Sequence, residues 1–229
     1  MIDVEICANS VASARAAKEG GAQRIELCTN LECGGLTPSA EAIECCVREL
    51  GLRTHVLVRP RDGDFFYNNA EVAEIERDVK MCRRLGAAAV VVGFLDCDGR
   101  IDVGLTRRIV EMAAPMEVTF HRAFDEARQD PIEALRAVMD AGCHRLLTSG
   151  QRTTAIEGAE TIRRMVEYTG QSQFKILAGS GVTPDNVYSL IKSTGVTEVH
   201  GSCKATLPDG TMQTDVAAVR SLFKEIAKL

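Results

Sequence analysis

Five charged or titratable side chains share one peculiarity: they stand inside or at the ends of segments that otherwise read as apolar strands. These are Glu5, Glu26, Arg59, His121 and His200. Imidazoles titrate near neutral pH, which makes His121 and His200 candidate acid–base groups. Arg59-Pro60-Arg61 presents two guanidinium groups across a proline, and Arg122 follows His121 directly. Guanidinium forks match carboxylate and phosphate oxygens, so Arg59, Arg61 and Arg122, with His200, are expected to bind an anion. Glu5 and Glu26 belong to consecutive strands and are expected at matching depth, about 4.8 Å apart. Two carboxylates that close should drive one pKa upward unless an arginine intervenes.

Two further constellations carry chemistry. Ala178-Gly179-Ser180-Gly181 leads to Thr183-Pro184, a cap residue followed by a proline suited to the first helical position. Glycines let backbone N–H groups approach a ligand, so Gly179 and Gly181, with Ser202 after the eighth strand, form an expected phosphate cradle. Cys7 and Cys28 close the first two strands. They read either as small packing residues or as a soft thiolate pair able to hold Cu(I), a low-coordination ion. No closed set of four Cys and His ligands suggests zinc.

Positioning such groups requires a regular scaffold, and strand-like and helix-like segments alternate without a break. Strands are expected at 2–7, 24–28, 54–58, 88–93, 117–121, 145–148, 174–178 and 198–201. Helices are expected near 10–20, 38–50, 70–85, 102–114, 130–141, 154–169, 183–193 and 214–228. Eight βα units in one chain are what a closed (β/α)8 TIM barrel needs. A doubly wound sheet would carry a glycine fingerprint in its first turn, where Cys7-Ala8-Asn9-Ser10 stands instead. No Pro/Gly/Ser-rich linker divides residues 1–229, so a single domain is expected.

Strand residues alternate between two faces, which makes the phase mechanical. Ile25 and Leu27, Val90 and Val92, and Leu146 and Thr148 should lie under the helices. Inward should point Glu5, Cys7, Glu26, Cys28, Leu57, Arg59, Val91, Gly93, Thr119, His121, Leu147, Ser149, His200 and Ser202. Strand seven leaves two phases open, Lys175/Leu177/Gly179 or Ile176/Ala178. A purely structural barrel is filled with branched apolar residues, so charges inside point to a site at the C-terminal mouth.

Composition narrows the partners. Of 229 residues, 45% are hydrophobic and 26% charged, with net charge −5, the balance of an ordinary globular chain. No Lys/Arg-dense stretch offers a nucleic-acid footprint. The longest apolar run, 85–95, is far short of the ~20 residues of a membrane span. The beginning MIDVEICANS lacks a secretory pattern, and nine cysteines without framework spacing suit a reducing cytoplasm. Cys45, Cys46, Cys82 and Cys143 are expected simply to pack.

Seven segments, EICANSVASA (5–14), GGAQRIELC (20–28), GGLTPS (34–39), VRPRDGDFFY (58–67), VTFHRAFD (118–125), LLTSG (146–150) and GSGVTPDN (179–186), together resemble the CutC copper homeostasis proteins. The resemblance implies a cytosolic (β/α)8 barrel and a role in copper homeostasis; a homo-oligomer is expected. It also implies Cu(I) ligands at Cys7 and Cys28. The alternative is an enzyme acting on a small anionic substrate, with Glu5, Glu26 and His121 moving the proton and Arg59, Arg61 and the 179–181 turn binding the anion.

Overall fold

A computed structural model describes residues 2–208 and 210–229. Eight parallel strands close into a barrel in chain order, β1 pairing with β8. They are β1 (Asp3–Ala8), β2 (Arg24–Leu27), β3 (Arg53–Leu57), β4 (Ala89–Val92), β5 (Glu117–Phe120), β6 (Arg145–Thr148), β7 (Lys175–Ala178) and β8 (Glu198–Gly201). The intervening helices are α1 (Val11–Glu19), α2 (Ala40–Glu44), α3 (Asn69–Leu85), α4 (Val103–Ala113), α5 (Pro131–Asp140), α6 (Ala159–Thr169), α7 (Val187–Thr194) and α8 (Val216–Ile226).

Local chemistry sets these boundaries. Asn68 and Glu71 form a reciprocal capping box at the start of α3, and Gly86 ends it in the left-handed conformation, φ 84°. The helix expected over 38–50 is α-helical only through Glu44, then widens into a π-helical turn, Cys45–Glu49. Regular α7 starts at Val187, later than the expected Thr183 cap. The Asn186 side chain instead accepts from the Thr183 N–H at 2.9 Å and donates to the Gly181 carbonyl at 2.8 Å. A hairpin of β9 (Lys204–Thr206) and β10 (Met212–Thr214) precedes α8.

The helix-side shell is apolar. Ile25, Leu27, Val90, Val92, Val118, Phe120 and Leu146 pack against Ile43, Ile75, Ile109, Leu135 and Ile162 in one cluster. Each such branched side chain contributes roughly 1.5–3 kcal/mol on burial, enough in sum to let the barrel interior carry charge. Cys46, Cys82 and Cys143 belong to this shell. Burial pushes the Cys82 and Cys143 thiols up to about 12, which leaves them inert packing groups. Strand seven takes the Lys175/Leu177/Gly179 phase. Ile176 and Ala178 join the helix-side cluster, and a Cβ on Gly179 would lie 2.5 Å from Leu147 and 3.3 Å from His200.

Candidate functional site

The two glutamates are staggered and not level. Across β1 and β2, Glu5 stands opposite Arg24, and Cys7 opposite Glu26. A closed barrel needs this shear between neighbouring strands. Glu5 therefore sits at the depth of a charged layer below the mouth. Arg24 places Nε 3.1 Å from Glu5 and Nη2 2.7 Å from Glu198. Arg145 continues the chain, 2.7 Å from Glu198 and 3.2 Å from Glu117, and Arg53 is 2.9 Å from Glu117. His55 Nδ1 lies 2.7 Å from Glu5 Oε2, an ion-pair approach that closes no hydrogen bond. Arg59, the arginine expected to point inward with the two glutamates, pairs with neither and donates to loop carbonyls instead. The arginine that meets Glu5 is Arg24.

Above this layer, Glu26 and His200 meet the Cys7 thiol. Cys7 and Cys28 bring their sulfurs to 3.9 Å, both buried and packed with Leu57 and Val91. His200 Nδ1 bonds Glu5 Oε1 at 2.9 Å and stands 4.0 Å from Glu26 Oε2. Donor atoms of Cys7, Glu26 and His200 all lie within 4.8 Å of one another, a grouping able to hold a metal ion.

The two carboxyl groups separate in proton affinity because their neighbours differ. Burial alone would raise Glu5, but His55, His200 and Arg24 hold it well below the usual carboxylate range. Burial raises Glu26 to about 7, with the Glu5 charge adding to it and His200 opposing. His200 is pushed well above its ordinary value: burial works against this, but Cys7, Glu5 and Glu26 outweigh it. The Cys7 thiol is raised well above its usual range by its contact with Cys28 and by burial. Protons therefore sit on Cys7, on His200 and, around neutral pH, in part on Glu26.

The mouth opens into a cavity of about 720 Å³ whose walls include Cys7, Glu26, Arg59, His121, Arg122, Gly181, His200 and Ser202. Gly93 makes room for His121, since a Cβ there would sit 2.3 Å from the imidazole. His121 Nδ1 accepts from the Ala123 N–H at 3.1 Å, so the neutral ring carries its proton on Nε2. Burial, with the Arg59 charge nearby, lowers its pKa to about 3. Arg59 donates to the carbonyls of Cys33, Gly35 and Gly63 at 3.0, 3.2 and 2.8 Å.

Two expected ligands lie elsewhere. Arg61 is engaged outside the cavity by Glu71 at 2.6 Å and Asp64 at 2.9 Å. Gly179 does not line the cavity; its missing side chain leaves space for Leu147 and His200. Arg122 reaches the mouth but is paired with Asp125 at 2.9 Å. Sequence reasoning passed over Asp125, whose carboxylate accepts from Thr148, Ser149 and Gln151 and ties the β6 exit to the turn Arg122–Glu126. It also passed over Arg24, His55, Arg145 and Glu198. The same two-residue count, taken one step down each strand, reaches all four.

A family model described as the CutC family matches residues 2–205. A CutC family protein of Chromobacterium violaceum is 47% identical, over 88% of this chain and 81% of its own length. One from Xanthomonas campestris pv. campestris is 42% identical, over 96% of this chain and 97% of its own. A crystal structure from Streptococcus agalactiae, described as a candidate copper homeostasis protein CutC, superposes with TM-score 0.82 at 31% identity, covering 88% of this chain and 99% of that one. Thiamine phosphate pyrophosphorylase from Pyrococcus furiosus, at 17% identity and TM-score 0.65, shares the fold alone.

Proposed function

The chain belongs to the CutC family, and from that premise we propose that it serves copper homeostasis by holding Cu(I) between the Cys7 and Cys28 thiolates in a reducing cytoplasm. The carrying observation is the 3.9 Å approach of the two sulfurs. Two thiolate–metal bonds of a little over ~2 Å each span at most ~4.5 Å, so one ion fits between them in a bent arrangement. His200, grouped with Cys7 and Glu26, adds a nitrogen donor beside Cys7 once it gives up its proton. Both thiols must lose protons to ligate, and the raised Cys7 pKa makes binding release protons and tighten as pH rises.

The test is anaerobic competition against a Cu(I) chelator. Replacing Cys7 and Cys28 together by Ser should remove the tightest equivalent. A triple Ser variant at Cys45, Cys46 and Cys82 should retain it. Glu5→Gln should leave Cu(I) affinity nearly unchanged, because a carboxylate is a hard ligand. Tight binding that survives the Cys7/Cys28 double variant would sink the proposal.

The cavity favours a second function beside the first. Its volume of about 720 Å³ falls within the range of small-molecule sites and far exceeds one ion. In this second proposal the protein acts on a small anionic substrate, with Glu26 moving the proton. Glu26 lines the cavity and is poised near neutrality, whereas Glu5 is held ionised among the charges beneath it. A homo-oligomer is proposed for either function.

A further inference from the structure

We infer that the cavity takes a small organic monocarboxylate, whose carboxylate group is received by Arg59 Nε–H and His121 Nε2–H beside the ring of Phe65. This rests on the small-anion function proposed above, and it specifies the ligand class and the wall that binds it.

Two buried donors on this wall have no partner, Arg59 Nε and His121 Nε2. Their residues are 5% and 6% exposed, and both line the cavity. Their positions are fixed by one aromatic ring. The Arg59 guanidinium carbon lies 4.9 Å from the Phe65 centroid, and the His121 ring packs 5.0 Å from it at a 57° tilt. Arg59 cannot swing free, because its two terminal nitrogens already serve three loop carbonyls. What it offers a ligand is one N–H and its positive charge. His121 cannot accept there, since Nδ1 is occupied by the Ala123 N–H and the remaining nitrogen is a donor. Buried donors without partners are costly, so a ligand that satisfies both must bring acceptor oxygens.

Charge selects among such ligands. The wall supplies one cation and one neutral imidazole, and Arg122 is already paired with Asp125. Glu26 lines the same cavity and opposes a second negative charge. A carboxylate, with one charge and two oxygens, fits this balance better than a phosphate dianion. The glycine turn around Gly181 and Ser202 lies at the exits of β7 and β8, away from this wall on β3 and β5, so the two locations can be told apart.

The probes are acetate, glycolate and inorganic phosphate, titrated into the full chain labelled with 15N-histidine. Acetate and glycolate should raise the melting temperature with increasing concentration, as ligands of the native state do. They should also shift the His121 Nε2 resonance. His121→Phe keeps a ring against Phe65 but removes the donor, and should weaken glycolate about tenfold or more. Arg59→Gln should weaken it as well, and the labelled parent protein keeps the test valid where that variant fails to fold. Carboxylate binding that leaves the His121 resonance and the His121→Phe affinity unchanged would overturn the assignment. Phosphate binding without carboxylate binding would overturn it while leaving the small-anion function standing, with its site moved to the β7–β8 exits. If none of the three binds, both fall. None of these outcomes bears on the Cu(I) titration.

Discussion

The barrel interior holds two layers of polar groups with opposite characters. In the lower layer Glu5, Arg24, Glu198, Arg145, Glu117 and Arg53 alternate in sign, each within 3.2 Å of an opposite charge. In the upper layer Glu26 Oε2, Arg59 Nε and His121 Nε2 are buried and unpartnered. Both layers come from the same strands in the same alternation, so burial alone does not distinguish them. Partner count does. Charges that answer one another fix strand register, whereas groups left open toward a cavity await something else.

Breaking the lower layer should give the largest effect. Arg24 bridges two buried carboxylates, Glu5 and Glu198. Arg24→Met removes the cation and leaves both in a low-dielectric interior with reduced compensation. The expected loss is about 3–5 kcal/mol of unfolding free energy, read from urea titration at pH 7. A loss below ~1 kcal/mol would show that the lower layer is as weakly coupled as surface ion pairs and would dissolve the contrast.

The upper layer should respond in the opposite direction. Glu26 has its pKa raised to about 7 in the folded chain, against roughly 4.3 when unfolded. Between these values the folded state binds the extra proton, so stability is fully present below about pH 4 and is lost as pH rises toward 7. Glu26→Gln removes that loss. The variant should match the parent at pH 4 and exceed it by up to about 4 kcal/mol at pH 8. A destabilised variant at pH 8 would place Glu26 among the satisfied charges.

How much of this was legible follows from the same contrast. Period-two alternation places Glu5, Cys7, Glu26, Cys28, Arg59, His121 and His200 inside, because one face of each strand is apolar enough to anchor the count. Depth is a different matter. Glu5 opposite Arg24, and Cys7 opposite Glu26, is a consequence of shear, which no single strand encodes. Arg61 illustrates a second limit. Its spacing from Arg59 is that of an anion fork, but the proline between them turns the chain and gives Arg61 to Glu71 at the start of α3. The hairpin β9–β10 was hidden for a third reason. Its strands are three residues each and largely exposed, too short and too wet for a periodic signal.

Arg61 also provides the smallest and sharpest comparison, because it differs from Arg59 by two positions and by surroundings. Arg59 is 5% exposed and faces the cavity, while the Arg61 side chain is 33% exposed and pairs with Asp64 and Glu71. Partly exposed pairs gain little over hydration, since water screens the charges and ordering long side chains costs entropy. Arg61→Ala should therefore lower stability by less than ~1 kcal/mol. Glycolate affinity should stay within about twofold of the parent, a change of less than ~0.5 kcal/mol. Isothermal titration beside Arg59→Gln measures both. Should the two variants weaken glycolate equally, long-range charge and not the Arg59–Phe65–His121 wall would govern binding, and the distinction between satisfied and waiting groups would fail at the mouth.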